Sequence, residues 1–224
     1  MSGFAQALMD GEAHKLGTQG ADYVRRIANS ARRMDTLLQD LLEYSRVARA
    51  SMSPGTVDLD AVMTEIITLR ESEIQDKRAQ IEVKSPLGSV RAHLPTVQQI
   101  LANLVDNGMK FVAQGKQPHL RIWTEELTNT DLFAKTATNG IADKTALRIW
   151  IEDNGIGIEK EFYEKIFGLF ERLHPSHAFP GTGLGLAIVR KGVERMGGRV
   201  GLESQPNQGS RFWVDLPSAP KDGK

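Results

Sequence analysis

Between Ala21 and Arg49 the apolar residues Ile27, Ala31, Met34, Leu38 and Leu41 recur at intervals of 4, 3, 4 and 3. That spacing predicts a long helix with a heptad seam, widened by Tyr23, Val24, Leu37, Leu42 and Tyr44. Arg25, Arg32, Arg33, Asp35 and Gln39 fill its polar face. Before it, residues 3–10 read as a short helix and Asp10 to Gly20, with three glycines, as a loop. The short piece cannot cover the seam, so the long helix calls for a partner helix. Ser51-Met52-Ser53-Pro54-Gly55-Thr56 reads as a linker. Asp58 then precedes a helical pattern through Val62, Ile66, Ile67 and Leu69 to about Lys77.

Alternation switches the prediction to strand at Gln80–Lys84, with a second short strand at Val90–Ala92. Leu94 to Val112 is strongly helical, with Val97, Ile100, Leu101, Leu104 and Val105 on one face and Pro95 in its first turn. Leu120–Glu125 and Leu147–Glu152 read as strands, each with a tryptophan (Trp123, Trp150). The polar stretch Glu126 to Thr145, with Asn139-Gly140, reads as a long surface connection between them. Glu159–Phe167 reads as a short helix, and Leu184–Met196 as a helix stopped by Gly197-Gly198. Arg199–Ser204 and Ser210–Leu216 close the pattern as a strand pair, with a disordered tail after Pro217.

Charge narrows the function classes. The 28 basic and 28 acidic residues cancel, which gives no electrostatic reason for nucleic acid or an anionic membrane as the main partner. There is no cysteine, hence no disulfide and no thiolate metal site. No apolar run approaches the roughly 20 residues of a membrane span, and the N-terminus lacks the form of a signal peptide. A cytoplasmic setting is the default expectation.

The chemistry-bearing stretch runs from Ile151 to Met196. An acid, Asp153, is followed by Gly155 and Gly157; then come Phe167-Gly168-Leu169-Phe170-Glu171-Arg172 and Gly181-Thr182-Gly183-Leu184-Gly185. Glycines at this density let backbone approach a ligand closely, and the last of them opens a helix whose amides form an anion site. In the preceding helix Asn103 and Asn107 are four apart and share a face, with Lys110 three further on. Two amide oxygens can complete the shell of Mg²⁺, and an ammonium suits phosphate oxygens. Asp106 projects elsewhere, as a solvated acid. A dinucleotide fingerprint fails, because its third glycine would fall at Leu186 or Ile188. A P-loop fails for want of Gly-Lys-Ser or Gly-Lys-Thr. His174-Pro175-Ser176-His177 lacks a third metal ligand nearby and reads as loop.

Taken in order, Asn103…Asn107…Lys110-Phe111, Asp153-x-Gly155-x-Gly157, Phe167-x-x-Phe170 and Gly181-x-Gly183-x-Gly185 resemble the N, G1, F and G2 boxes of sensor histidine kinases, closest in flavour to the phytochrome type. The likeness covers residues 57 to 217, and residues 21 to 49 resemble the second helix of that family's dimerisation and phosphoacceptor hairpin. The fold implied is α+β: a two-layer α/β sandwich, a mixed sheet with helices on one face, preceded by a partial helical hairpin. Its parts would be residues 1–50 (hairpin), 51–56 (linker), 57–217 (ATP-binding catalytic domain) and 218–224 (tail).

The resemblance also implies roles. Asn103 and Asn107 would hold Mg²⁺ against the phosphates of ATP, and Lys110 would contact phosphate. Asp153 would accept a hydrogen bond from the adenine amino group, with Gly155 and Gly157 letting backbone wrap the base. Phe167 and Phe170 would seat the start of a lid, and Arg172 would reach the phosphates. Gly181, Gly183 and Gly185, with Thr182 and Leu184 between them, would form lid hinges and amide donors. Gly108 stands where the family has alanine, which implies weaker helix order there without loss of binding. None of the five histidines has the acid-then-proline context of the family's phosphoacceptor; His14 lies in the glycine-rich loop. The acceptor is therefore expected outside this chain, by truncation or by nature. The activity implied is transfer of the γ-phosphoryl group to a histidine, for relay to an aspartate of a response regulator, with a homodimer through residues 21–49. The alternative is a non-catalytic module that binds ATP or the regulator.

Overall fold

The computed structural model describes residues 17–49, 51–128, 145–173 and 179–220, which fall into two compact units divided between Ser45 and Arg46. The expected short helix at 3–10, His14, the middle of the 126–145 connection and the His174–His177 stretch lie outside the described residues.

The first unit is dominated by helix α1, Gly17–Arg49, whose last residues, from Arg46 on, belong to the second. It starts earlier than its sequence suggests, taking Gly17 to Gly20 out of the expected loop. Glycine costs about 1 kcal/mol within a helix, but once a long helix is nucleated each added residue extends it cheaply. Ala28 and Ala31 are buried, whereas Tyr23, Ile27, Met34, Leu38, Leu41 and Leu42 are exposed.

The second unit opens with β1 (Gly55–Asp58), so the expected linker ends two residues early. Asp58 caps α2 (Leu59–Leu69) by accepting from the amides of Asp60 and Ala61 at 2.9 and 3.2 Å. The expected single helix to Lys77 is broken at Arg70, and α3 (Glu71–Lys77) follows. The break turns the Arg70 guanidinium onto Asp106, 36 residues away. Then come β2 (Gln80–Val83), β3 (Ser89–Ala92) and α4 (Leu94–Lys110), which ends two residues before the expected Val112. After β4 (His119–Thr128) and β5 (Thr145–Asp153), the expected helix 159–167 is instead two 3-10 turns, Lys160–Phe162 and Lys165–Phe167. A nine-residue segment is too short to sustain an α-helix on its own, and this one is pinned by Ile166 and Phe167, both buried. Helix α5 (Gly185–Arg195) and strands β6 (Arg199–Gln205) and β7 (Gly209–Pro217) complete the unit.

The sheet runs β2-β4-β5-β7-β6, parallel only between β2 and β4; β1 and β3 pair separately. Strand alternation divides its faces. Leu120, Ile122, Ile149, Ile151, Phe212, Val214 and Leu216 join Val97, Ile100, Leu101, Leu104 and Val105 of α4 in one core. The opposite face carries Trp123, Trp150 and Trp213 in one cross-strand row. The first two rings stack at 5.8 Å, and the Arg148 guanidinium lies 4.2 Å over the third while pairing with buried Asp215. The expected disordered tail is partly ordered: Ser218 bridges Val90, and the Ala219 amide donates to the Ser89 carbonyl at 2.9 Å.

Candidate functional site

Asp153 ends β5 on the helix-facing side of the sheet, in a cross-strand row with Leu120, Ser210 and Ser204. Its Oδ1 accepts from the amides of Gly155 (2.8 Å) and Ser210 (3.2 Å); neither bond uses Oδ2. Burial pushes its carboxyl pKa up to about 6, aided by Glu152 and opposed by those two amides and by Lys116. A half-buried carboxylate with one oxygen fixed by backbone is built to accept a hydrogen bond at the other.

The segment after Asp153 is stitched from both sides. The Ile156 amide donates to the Phe111 carbonyl at 2.9 Å, and the Ile156 carbonyl accepts from the Asn207 amide at 2.7 Å. Asn154 exchanges bonds with His119 and donates to the Gln117 carbonyl. Side chains are excluded at both glycines: a Cβ on Gly155 would stand 2.5 Å from the Phe111 carbonyl oxygen, and one on Gly157 (φ 71°) would stand 1.9 Å from that of Gln205.

Helix α4 passes against this row at Gly108, where a Cβ would meet Leu120 Cδ2 at 2.8 Å and Asp153 Cβ at 3.4 Å. The glycine that propensity marks as a weak point is thus what lets helix and strand approach. Asn103 donates from Nδ2 to the Gln99 carbonyl at 2.9 Å, and its Oδ1 faces the start of α5, 2.8 Å from where a Cβ on Gly185 would lie. Asn107 follows one turn on, half-buried. Lys110 Nζ sits 4.4 Å over the Phe111 ring and 2.5 Å from where a Cβ on Gly181 would lie. The structure therefore brings Asn103 to Gly185 and Lys110 to Gly181. It does not leave Asp106 solvated on its own: that carboxylate forms a two-pronged ion pair with Arg70, which holds the guanidinium protonated above its ordinary range.

Arg172 donates to the carbonyls of Phe179 (2.8 Å) and Gly181, and the Phe179 ring packs at 5.2 Å on Phe111. Thr182 Oγ1 accepts from the Leu184 amide at 3.3 Å; Leu184 is buried and supplies no side-chain cap for α5. Gly183, at φ 78°, packs on Phe170 and the Glu171 carbonyl. Phe167 is buried, whereas Phe170 is exposed with φ 61°. Among the described residues no cluster of three or more histidines, cysteines or acids could hold a metal ion. Sequence reading missed Tyr163, Ser204 and Ser210, whose hydroxyls lie behind Asp153. Only the serines at matching places of the last two strands hinted at them.

The family model described as "Histidine kinase-, DNA gyrase B-, and HSP90-like ATPase" matches residues 92–220, and that described as "His Kinase A (phospho-acceptor) domain" matches residues 1–49. Phytochrome-like protein Cph1 of Synechocystis sp. is 31% identical over 97% of this chain and 27% of its own length. The chain spans only about a quarter of the length of the curated relatives it matches. Among solved structures, full-length ShkA in complex with AMPPNP aligns with a TM-score of 0.66 at 26% identity, over 99% of this chain and 43% of that one. The catalytic domain of histidine kinase ThkA aligns with a TM-score of 0.57 at 26% identity, over 75% of this chain and 97% of that one. Among the described residues, no helix is long and apolar enough to cross a membrane.

Proposed function

The chain belongs to the histidine kinase-, DNA gyrase B- and HSP90-like ATPase family, and on that premise we propose that it is the ATP-binding catalytic part of a two-component sensor histidine kinase. The reaction is transfer of the γ-phosphoryl group of Mg-ATP to a histidine nitrogen, followed by relay to an aspartate on a response regulator. The observation that carries the reading is Asp153, held by two amides at the end of β5 with Oδ2 unused, on the side of the sheet covered by α4.

In this reading Asp153 Oδ2 accepts from the adenine amino group, which selects ATP over GTP. Gly155 and Gly157 leave room for the base. Lys110, the amides at the start of α5 and the Gly181–Gly185 run, Thr182 and Leu184 included, attend to the phosphates. Asn103 and Asn107 supply amide oxygens to Mg²⁺. Bound Mg-ATP would supply the transferable phosphoryl group and the metal charge that neutralises it; the protein contributes position and electrostatics. Phe170 and Arg172 border the nucleotide from the lid stem. The AMPPNP of the ShkA structure supports an ATP-type ligand. The match of residues 1–49 to the phosphoacceptor-domain model and the exposed apolar face of α1 support a homodimer through residues 21–49. The setting is the cytoplasm, where ATP is abundant.

A second reading is a module that binds ATP or the regulator without catalysis. It is favoured by one observation: none of the five histidines has the acid-then-proline context of an acceptor. The test uses γ-labelled ATP, Mg²⁺ and a separate histidine-bearing hairpin. Acid-labile label on the added hairpin establishes the kinase; bound ATP with no label on hairpin or chain establishes the module. Label on the chain itself would put the acceptor within it, with His14 the first to replace.

A further inference from the structure

Tyr163 lies outside every box that contacts nucleotide, in the stretch joining the two 3-10 turns, yet its hydroxyl reaches the edge strand of the sheet. It accepts from the Ser204 amide at 2.8 Å and donates to the Ser204 carbonyl. Among the described residues, β6 has no strand on that side, so one phenol satisfies both backbone groups that the edge leaves open at this residue.

Ser204 joins this clasp to the interior of the sheet. Its Oγ accepts from the Ile158 amide at 2.9 Å and lies 2.8 Å from the Gly209 carbonyl and 2.9 Å from Ser210 Oγ. A hydroxyl has one proton and two lone pairs. The Gly209 carbonyl can only accept, so the Ser204 proton goes there. The Ile158 amide takes one lone pair, and the Ser210 hydroxyl must donate to the other. Every group is then satisfied, and only one arrangement of protons does it. The Ser210 amide, on the same residue, donates to Asp153 Oδ1. Tyr163, Ser204, Ser210 and Asp153 thus form a continuous chain across β6, β7 and the end of β5. The Ile158 bond ties in the segment after Gly157.

We propose that Tyr163 is a positioning residue for base recognition: by clasping the main chain of Ser204 it fixes the paired serines that aim the Asp153 carboxylate. The proposal rests on the reading of Asp153 as the adenine acceptor. Tyr163 stands four residues before buried Phe167, at the approach to the lid stem, so the same clasp joins the base end of the site to the segment that leads into the lid. The charged groups that face Asp153 are Glu152 beside it and Lys116 before β4. The relay itself is neutral.

The test compares the full chain with its Tyr163→Phe, Ser204→Ala and Asp153→Asn variants, using calorimetric affinity for Mg-ATP and Mg-GTP from pH 5 to 8. Tyr163→Phe is expected to weaken ATP about tenfold, the scale of one buried hydrogen bond. GTP binding should be little changed, so the preference narrows. The acid limb of ATP binding should move to higher pH, since a looser Ser210 amide stabilises ionised Asp153 less. Ser204→Ala keeps the backbone that Tyr163 clasps and removes only the hydroxyl; it should give the same signature, and it decides the matter if Tyr163→Phe does not fold. Folded variants with wild-type ATP affinity, ATP-to-GTP ratio and acid limb, beside an Asp153→Asn that no longer binds, would overturn the proposal. So would a fall in melting temperature with those three readouts unmoved, which marks a brace and nothing more. An Asp153→Asn that binds ATP like the wild type would remove the underlying reading and this inference with it.

Discussion

Gly108 and Leu120 meet so closely that a single added methyl group would overlap: the Cβ position of Gly108 lies 2.8 Å from Leu120 Cδ2. Propensity alone says Gly108→Ala should stabilise α4 by about 1 kcal/mol. Overpacking of a close-packed site typically costs about 1–3 kcal/mol, and Leu120, fully buried, has little room to yield. We expect the variant to melt lower than the wild type. Because the same methyl would press toward Asp153 Cβ, 3.4 Å away, nucleotide affinity should fall as well. A higher melting temperature would show that α4 can lift without loss.

Asp153→Asn should separate stability from function. The folded carboxyl titrates near pH 6 and the ordinary carboxyl at 3.8, so between these values the folded chain holds more protons than the unfolded one. Stability therefore rises as pH falls through that window, and the full penalty of the buried charge is present above pH 6. Asparagine keeps an acceptor for the amides of Gly155 and Ser210 and removes the charge. The ligand-free variant should melt higher than the wild type at pH 8 and about equally at pH 4, while ATP binding is lost. Thermal melts at the two pH values, with calorimetric titration, check both halves.

Asp106→Asn should act on stability alone. It breaks the ion pair with Arg70, whose side chain is 19% exposed against 46% for Asp106. Solvent screening at the carboxylate limits the loss to about 1 kcal/mol. Both carboxylate oxygens of Asp106 are taken up by Arg70, so ATP affinity should stay within twofold, as read by the same titration. A large loss of affinity would bring Asp106 into the site.

Removal of Mg²⁺ by chelator should weaken ATP binding, and Asn107→Ala should remove most of that dependence on the metal. Loss of one metal-coordinating oxygen is expected to weaken Mg-ATP about tenfold, the scale of a charge-assisted contact. ATP affinity indifferent to the chelator would take Asn107 out of its role.

Much of the site is legible in the sequence because its signals are local. The spacing of Asn103, Asn107 and Lys110 sets a helix face, and Asp153-x-Gly155-x-Gly157 and Gly181-x-Gly183-x-Gly185 mark close approach whatever the rest of the chain does. All the strands but β1 are legible within a few residues because alternation is equally local; β1, read as the end of a linker, is a strand only through its pairing with β3. What stays hidden depends on pairs distant in sequence. Arg70 and Asp106 are 36 residues apart, and Tyr163 and Ser204 are 41 apart; no periodicity connects them. The break at Arg70 comes with a pairing to a distant residue, and the 3-10 turns at 160–167 with the burial of Ile166 and Phe167. Gly108 reads as a weak point only because its reason is Leu120, which local propensity cannot see.

The tryptophan row has an optical consequence. The chain has three tryptophans, and all stand on the sheet face turned away from α4, with Arg148 over two of them. Every photon of indole emission thus originates from one stripe across β4, β5 and β7. Its intensity reports whether those strands are paired, and it is a poor witness to events among Asn103, Lys110 and Asp153 on the other side. A flat fluorescence trace during a nucleotide titration would say nothing about binding, whereas the same signal followed through denaturation records the opening of the sheet itself.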